Sequence, residues 1–313
     1  TMLLAATVWA SLETGPSGSL LFADDPQLAS VLAEIRLPRT LLAVLCGGVL
    51  GLSGAALQGL LRNPLADPGL LGISGAGALG GVAALYFGLA AASVAVAPLL
   101  GLAAAASAMA LLLVLAGRRP PPATLILAGL AINALGGALT WLALSLAPSP
   151  FAAAEALTWI LGTLDGAAMG DVRLVAPFAI FAAVLLLPLG RGLDALALGE
   201  DAARSLGADP RRLRLMCIAG TAAGTGAIGA AVGTLAFVGL IVPHALRPLA
   251  GARPGALLVP SMLGGAILVL AADLVLRGPM EGVRLQLGVV TSLIGAPLFL
   301  WLVMRARWQE RAA

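Results

Sequence analysis

The side chains able to carry acid–base, nucleophilic or metal chemistry are few in this sequence. His244 is its single histidine, which excludes HExxH and any multi-histidine metal site. Cys46 and Cys217 both lie in apolar runs, so neither a disulfide framework nor a CxxC metal site is indicated. All 18 basic residues are arginine. Without lysine there is no P-loop lysine, no Schiff base and no kinase-type lysine. Paired aspartates in adjacent spans and a nucleophile elbow are lacking too. No catalytic or metal residue is therefore assigned, and the chain reads as no enzyme. If ATP drives it, another polypeptide hydrolyses the ATP.

The charge that is present gathers in one stretch, LALGEDAARSLGADPRRLRL at 196–215. Glu200 and Asp201 fall in the first turn of a short helix, where negative charge favours the positive helix end. Arg204 follows Glu200 by four residues, the spacing of a side-chain pair on one face. Gly207 suits the C′ position, and Asp209-Pro210 reads as N-cap and N1 of the next helix. The stretch is thus a defined helix pair. Ala202, Ala203 and Ser205 give it a small, unbranched surface suited to a groove on a partner.

Long apolar elements flank this insert. A mean hydropathy of +1.03 and a charged fraction of 11%, against about a quarter in soluble domains, mark an all-α, polytopic transmembrane bundle in a lipid bilayer. The 313 residues form one polytopic membrane domain, 1–313. A hydrocarbon core about 30 Å thick needs about 20 apolar residues per helical span. Segments at 1–12, 38–61, 70–89, 92–116, 123–147, 173–190, 211–232, 236–250, 255–276 and 286–304 make about ten spans. The first opens at Thr1 and reads as a truncated span. Pro243, His244 and Arg247 interrupt 236–250, which predicts a short or broken helix there. The stretch between Pro150 and Gly162, with Trp159, is an amphipathic piece at the membrane surface that gates or braces.

Alternate loops carry arginine unequally. One side holds Arg62, Arg118, Arg119, Arg191, Arg204, Arg211, Arg212, Arg214, Arg247, Arg253, Arg305, Arg307 and Arg311, thirteen in all; the other holds Arg36, Arg39, Arg173, Arg277 and Arg284, five. Positive charge retained inside places the first set, and both termini, in the cytoplasm. The net charge of +3 follows from these loops and implies no nucleic-acid partner. Gly47 and Gly51, Gly77 and Gly81, and Gly220 and Gly224 have the spacing of close helix packing. In RNPLADP, Asn63, Pro64, Asp67 and Pro68 form an extended turn, because each proline restricts its predecessor. Asn133, Gly136 and Gly137 stand out in the fifth span, where Asn133 can hydrogen-bond a neighbouring helix.

Six blocks together resemble the binding-protein-dependent ABC-importer permeases for iron-siderophores, haem and vitamin B12, which have the type II importer fold. They are RLPRTL at 36–41, SGAALQGLLRNPLADPGLLGISGAGALG at 53–80, LALGEDAARSLG at 196–207, FVGLIVPHALR at 237–247, AADLVLR at 271–277 and GVVTSLIGAPLFLWLV at 288–303. They cover nearly the whole chain in the family's order. The family usually has a proline before the last block, where this chain has Gln286 and Leu287.

The resemblance implies ten spans per subunit, a second copy of the chain enclosing the path, and the bacterial inner membrane as location. It also implies two ATPase subunits on the cytoplasmic side, which hold the ATP, and a periplasmic substrate-binding protein outside. For the fifth span, with Asn133, it implies instead a place beside the path, which the glycine pair would let that helix gate. Leu198, Gly199, Glu200, Asp201, Ala202, Ala203, Arg204, Ser205, Leu206 and Gly207 match the ATPase-coupling helices, about 195–206, with Glu200 and Arg204 as polar contacts. Arg36 and Arg277 match the outer arginines that meet acidic residues of the binding protein. An i, i+4 pair of Asp273 with Arg277 is the alternative for the latter. The cargo implied is a bulky metal chelate, with haem or iron-siderophore favoured and vitamin B12 open. The alternative is an ion-coupled secondary transporter, which needs an interior acid or histidine; Asp273 is the only deep acid and lies near Arg277.

Overall fold

The computed structural model describes residues 2–13, 26–89, 93, 96–116, 122–147, 149–251, 253–277 and 285–312. Every regular element among them is helical. In order these are α1 (Met2–Glu13), α2 (Pro26–Val31), a π-helical turn (Leu32–Arg36), α3 (Leu37–Leu61), a 3-10 turn (Pro68–Leu71), α4 (Ile73–Tyr86), α5 (Val96–Ala116) and α6 (Pro122–Ser145). Then come α7 (Pro150–Ile160), α8 (Met169–Leu186), α9 (Gly190–Ala197), α10 (Glu200–Ser205), α11 (Pro210–Ala231), α12 (Val238–Leu246), α13 (Pro254–Leu276) and α14 (Leu287–Ala312). Six helices among the described residues are long and apolar enough to cross a membrane, and four shorter apolar ones at Met2–Glu13, Ile73–Ala84, Val238–Leu249 and Leu287–Trp301 bring the total to ten. The chain is a polytopic all-helical membrane protein.

α3 is the axis of the bundle, buried over most of its length and packed against α8, α11, α12 and α13. Its contact with α13 is extensive and tight because small residues, Gly47, Gly51, Ser261 and Gly265, meet there. A Cβ on Gly47 would lie 2.2 Å from the Gly265 carbonyl oxygen, and one on Gly51 would lie 2.0 Å from that of Ser261. Such approach replaces interdigitated side chains with direct backbone contact, the usual role of small residues between membrane helices. Around this axis one apolar cluster centres on Leu57, Leu60, Leu186, Leu193 and Leu213. A second, toward the other end, centres on Leu42, Val49, Val175, Val269 and Leu270. α6 lies at the periphery with a broad exposed apolar face that includes Leu127, Leu135 and Trp141.

The interrupted segment at 236–250 is short, as its sequence predicts. Phe237 takes a left-handed conformation (φ 65°) before α12, and the helix passes into a 3-10 turn at Arg247–Ala250. The Pro150–Gly162 piece is a helix too, α7, with the Ser149 hydroxyl accepting from the Ala152 N–H. The Gln286-Leu287 departure is absorbed locally. The Gln286 carbonyl accepts from the Val289 and Val290 N–H groups and starts α14, while the Gly288 N–H donates to the Gly162 carbonyl. Of the residues used to orient the chain, Arg118, Arg119 and Arg284 lie outside the described residues.

Candidate functional site

The insert forms the helix pair its punctuation predicts. Gly199, at φ 111°, turns the chain between α9 and α10; Gly207 follows α10 at φ 82°, a conformation that suits glycine. The Asp209 carboxylate then accepts from the Arg211 N–H at 2.9 Å and caps α11. Arg204 donates to Glu200 at 2.9 Å and to Asp201 at 2.7 Å. Exposed pairs of this kind stabilise by only about 0.3–0.5 kcal/mol each.

Two features of the knob differ from the sequence expectation. Glu200 is not free to serve mainly as an outward contact, because its second oxygen accepts from Arg214 of α11 at 3.1 Å. Ala203 is not part of a presented surface: it is fully buried in the apolar cluster with Leu193, Leu196 and Leu213. A six-residue helix has one inward stripe, and Ala203 occupies it. The outward surface is made by Leu198, Asp201, Arg204, Ser205, Leu206 and Gly207, with Ala202 half-buried. The knob is therefore fixed to α11 by a buried methyl and a carboxylate bridge.

RNPLADP is a tucked turn. Arg62 is left-handed (φ 49°), the Asn63 side chain accepts from the Leu65 N–H, and Asp67 caps the 3-10 turn that begins at Pro68. Gln58, which the sequence reading passed over, ties this turn to α12. Its amide nitrogen lies 3.4 Å from the Ala66 and Gly239 carbonyls, and its amide oxygen accepts from Arg247 at 2.9 Å. Pro243 is buried inside α12, with His244 half-buried in its last turn.

At the opposite end, α1, α3, α13 and the loop after α7 meet in an ionic cluster. Asp273 is fully buried and accepts from Arg277 at 2.9 Å, the i, i+4 pair legible in AADLVLR. It also accepts from Arg39 at 2.7 Å and 2.9 Å, and Arg39 reaches Asp165 at 2.9 Å. With two guanidinium partners, Asp273 is not the vacant interior acid that an ion-coupled carrier needs.

Arg36 and Arg277 do not present their guanidinium groups outward. Arg36 is only 4% exposed and donates to the Leu12 and Glu13 carbonyls, while Arg277 donates to the Ser11 carbonyl at 2.7 Å. These are terminal carbonyls of α1, left without intrahelical partners and at its negative end, so two arginines are a natural cap. The Asp273 pair that the spacing allows for Arg277 is present, and both arginines also hold the end of α1.

On α6, Asn133 is exposed with its side-chain oxygen facing Gly75, and no hydrogen bond joins it to a neighbouring helix. A Cβ on Gly136 or Gly137 would meet nothing within 4 Å. Trp159 of α7 lies over Gly81 of α4, where a Cβ would sit 3.1 Å from the indole nitrogen.

This arrangement has a charged knob at one end and a broken helix beside the central axis. A family model described as the FecCD transport family matches residues 2–305. The chain belongs to the FecCD transport family. As a FecCD-family chain it is a permease subunit of an ABC importer and not itself an ATPase. It is 40% identical over 278 residues to the Fe(3+) dicitrate transport system permease protein FecD of Escherichia coli, covering 88% of this chain and 86% of that protein. It is 37% identical to the hemin transport system permease protein HmuU of Yersinia pestis, covering 88% and 84% of the two chains. Against the vitamin B12 import system permease protein BtuC of Klebsiella pneumoniae it is 36% identical, covering 98% and 92%. A solved structure described as an inward-facing conformation of a metal-chelate type ABC transporter superposes with a TM-score of 0.86 at 31% identity, over 97% of each chain. FecCD-family membership accounts for the six ordered blocks and for the ten helices.

Proposed function

We propose that two copies of this permease enclose a path for a bulky metal chelate, haem or an iron-siderophore before a corrinoid, and pass it inward by alternating access. Two ATPase subunits act on the face carrying α10, and a periplasmic binding protein delivers cargo at the Arg39–Asp273 end. The arginine imbalance supports a cytoplasmic location for the α10 end and both termini in a bacterial inner-membrane importer. The single observation that carries the coupling assignment is the attachment of α10. Its burial through Ala203 and its Glu200 bridge to Arg214 leave no slack between an outer push on Leu198, Asp201 and Leu206 and a shift of α11. The open surroundings of Gly136 and Gly137 support α6 as the helix beside the path, with Asn133 facing it and Trp159 of α7 as a brace.

The outer arginines then act through α1. By fixing its last carbonyls, Arg36 and Arg277 set the surface on which the binding protein seats. Direct ion pairing with that protein would instead make capture salt-dependent.

Reconstituted import with the cognate ATPase and binding protein tests the coupling assignment. Asp201→Arg and Arg204→Glu should leave membrane insertion intact and weaken co-purification with the ATPase. Glu200→Gln should keep the ATPase bound and hydrolysing while import falls. Unchanged import and co-purification in all three would overturn it.

A further inference from the structure

We infer that the end of the bundle carrying α10 holds a binding groove for an anionic phospholipid, with Arg191, Arg212 and Arg253 as its cationic lip. The groove, about 840 Å³, lies between α9, the turn after α10 and the starts of α11 and α13. Its floor is apolar, with Leu189, Leu213, Met216 and Pro254, and the exposed Leu198 and Leu206 stand at its edge. The three arginines come from three separate elements and are all exposed, and none makes a side-chain hydrogen bond or ion pair among the described residues. That sets them apart from Arg39, Arg204, Arg214 and Arg277, each of which has a carboxylate.

The two carboxylates in the lining do not neutralise the lip directly. Asp194 accepts from the Gly255 N–H at 2.7 Å and Asp209 from the Arg211 N–H at 2.9 Å. Both therefore face the positive starts of α13 and α11, whose peptide dipoles offset part of their charge. What remains is a cationic rim over a hydrophobic hollow.

The hollow does not end at the rim. A neighbouring groove of about 600 Å³ shares Pro188, Arg191, Asp194 and Arg253 and reaches Ala256. A further one, about 500 Å³, runs from Arg253 past Leu246 and Leu249 to Pro260. Pro260 lies six residues into α13, about 9 Å along its axis at 1.5 Å per residue. Leu249 on the wall is 84% exposed. Charge at the helix starts and the apolar floor between them fit an amphiphile, whose phosphate meets the arginines and whose chains enter the hollow. An acidic protein surface would satisfy the arginines and leave the apolar floor uncovered. The inference rests on the chain spanning a bilayer and does not depend on cargo or the direction of transport; Leu198 and Leu206 border both the groove and the proposed ATPase face, so lipid binding is measured on the chain without its ATPase.

The experiment uses the purified full chain in neutral detergent with pyrene-labelled phosphatidylglycerol as probe. Saturable binding is expected, displaced by unlabelled dioleoylphosphatidylglycerol and not by dioleoylphosphatidylcholine. Combined R191Q, R212Q and R253Q should weaken it at least tenfold and each single change about two- to fivefold, while R211Q, outside the groove, leaves it unchanged. If the triple variant does not fold, the single variants and the headgroup competition on the unaltered chain decide. Displacement by inorganic phosphate as effective as by the lipid would reduce the site to a simple anion site and overturn the lipid assignment. So would a triple variant that loses its ATPase and retains full lipid binding, which would make the lip a protein contact. Equal competition by phosphatidylcholine would refute the cationic lip.

Discussion

Replacing Asp273 by alanine removes the shared acceptor of two guanidinium groups while deleting little apolar surface, so its cost is an electrostatic one. The Asp273 side chain is 1% exposed, that of Arg277 8% and that of Arg39 20%. Breaking a buried pair by removing one partner costs about 3–5 kcal/mol, because the other charge stays buried without compensation. Arg39 keeps Asp165, and water reaches part of it, which moves the expectation to the lower end, about 3 kcal/mol. At 1.36 kcal/mol per decade that is roughly a hundredfold fall in the folded-to-unfolded ratio. Reversible unfolding of the purified chain in mixed micelles, titrated with a denaturing detergent and followed by tryptophan fluorescence, measures it. A companion variant, Arg39→Met with Asp273→Leu and Arg277→Met, replaces the charges with apolar volume and should recover most of the loss. An Asp273→Ala cost below about 1 kcal/mol, or a companion no more stable than the single change, would refute the reasoning.

Other outcomes follow from the same geometry. Burial pushes the Asp67 carboxyl up to about 6, against the Gly69 and Leu240 N–H groups, which pull it down, and Oδ2 has no full hydrogen bond. A carboxyl raised from 3.8 to about 6 binds its proton more tightly in the folded chain, so its contribution is complete below pH 3.8 and lost as pH rises through about 6. Asp67→Asn, which can keep the Gly69 bond, should therefore flatten the fall in stability between about pH 4 and about 6 seen in unfolding titrations; an unchanged slope contradicts this. Gly265→Leu should destabilise by more than the roughly 1–3 kcal/mol usual for overpacking, because its Cβ would lie 2.0 Å from the Gly47 carbonyl oxygen. Gly137→Leu, with nothing within 4 Å, should change stability by less than about 0.5 kcal/mol in the same titration. Charge reversal at Arg36 and Arg277 should lower thermal stability by freeing the end of α1, and should alter binding-protein capture equally at low and high salt. Recovery of capture at one ionic strength alone would point to direct ion pairing.

What the sequence made legible was short in range. Asp209-Pro210, Gly207 and the Glu200–Arg204 spacing each report on a neighbour within four residues, and each is realised in the insert. Asp273 with Arg277 is likewise one helical turn. Arg39 joins the same aspartate from 234 residues away, and Gln58 reaches Arg247 across 189. No periodicity encodes such pairings, although a glutamine inside a 25-residue apolar helix was itself a signal worth following. Ala203 was misread because alanine is compatible with either face of a short helix, and only the packing of Leu193, Leu196 and Leu213 decides which. Arg36 and Arg277 take a docking role from the family resemblance alone, and the carbonyls at the end of α1, which no spacing in the sequence announces, engage both side chains. The family resemblance supplied roles by position, and the geometry distinguishes the exposed members of each motif from those that hold the fold together.

Direct contact between the main chains of α3 and α13 also limits how this molecule can deform. A seam filled by leucines can shear through many small rotamer hops, but one carbonyl sitting on another helix's Cα has no such intermediate positions. Sliding would require the two rods to part first. The pair should travel as a single stiff chassis during any transport stroke, leaving displacement to parts with free space around them, above all the second half of α6.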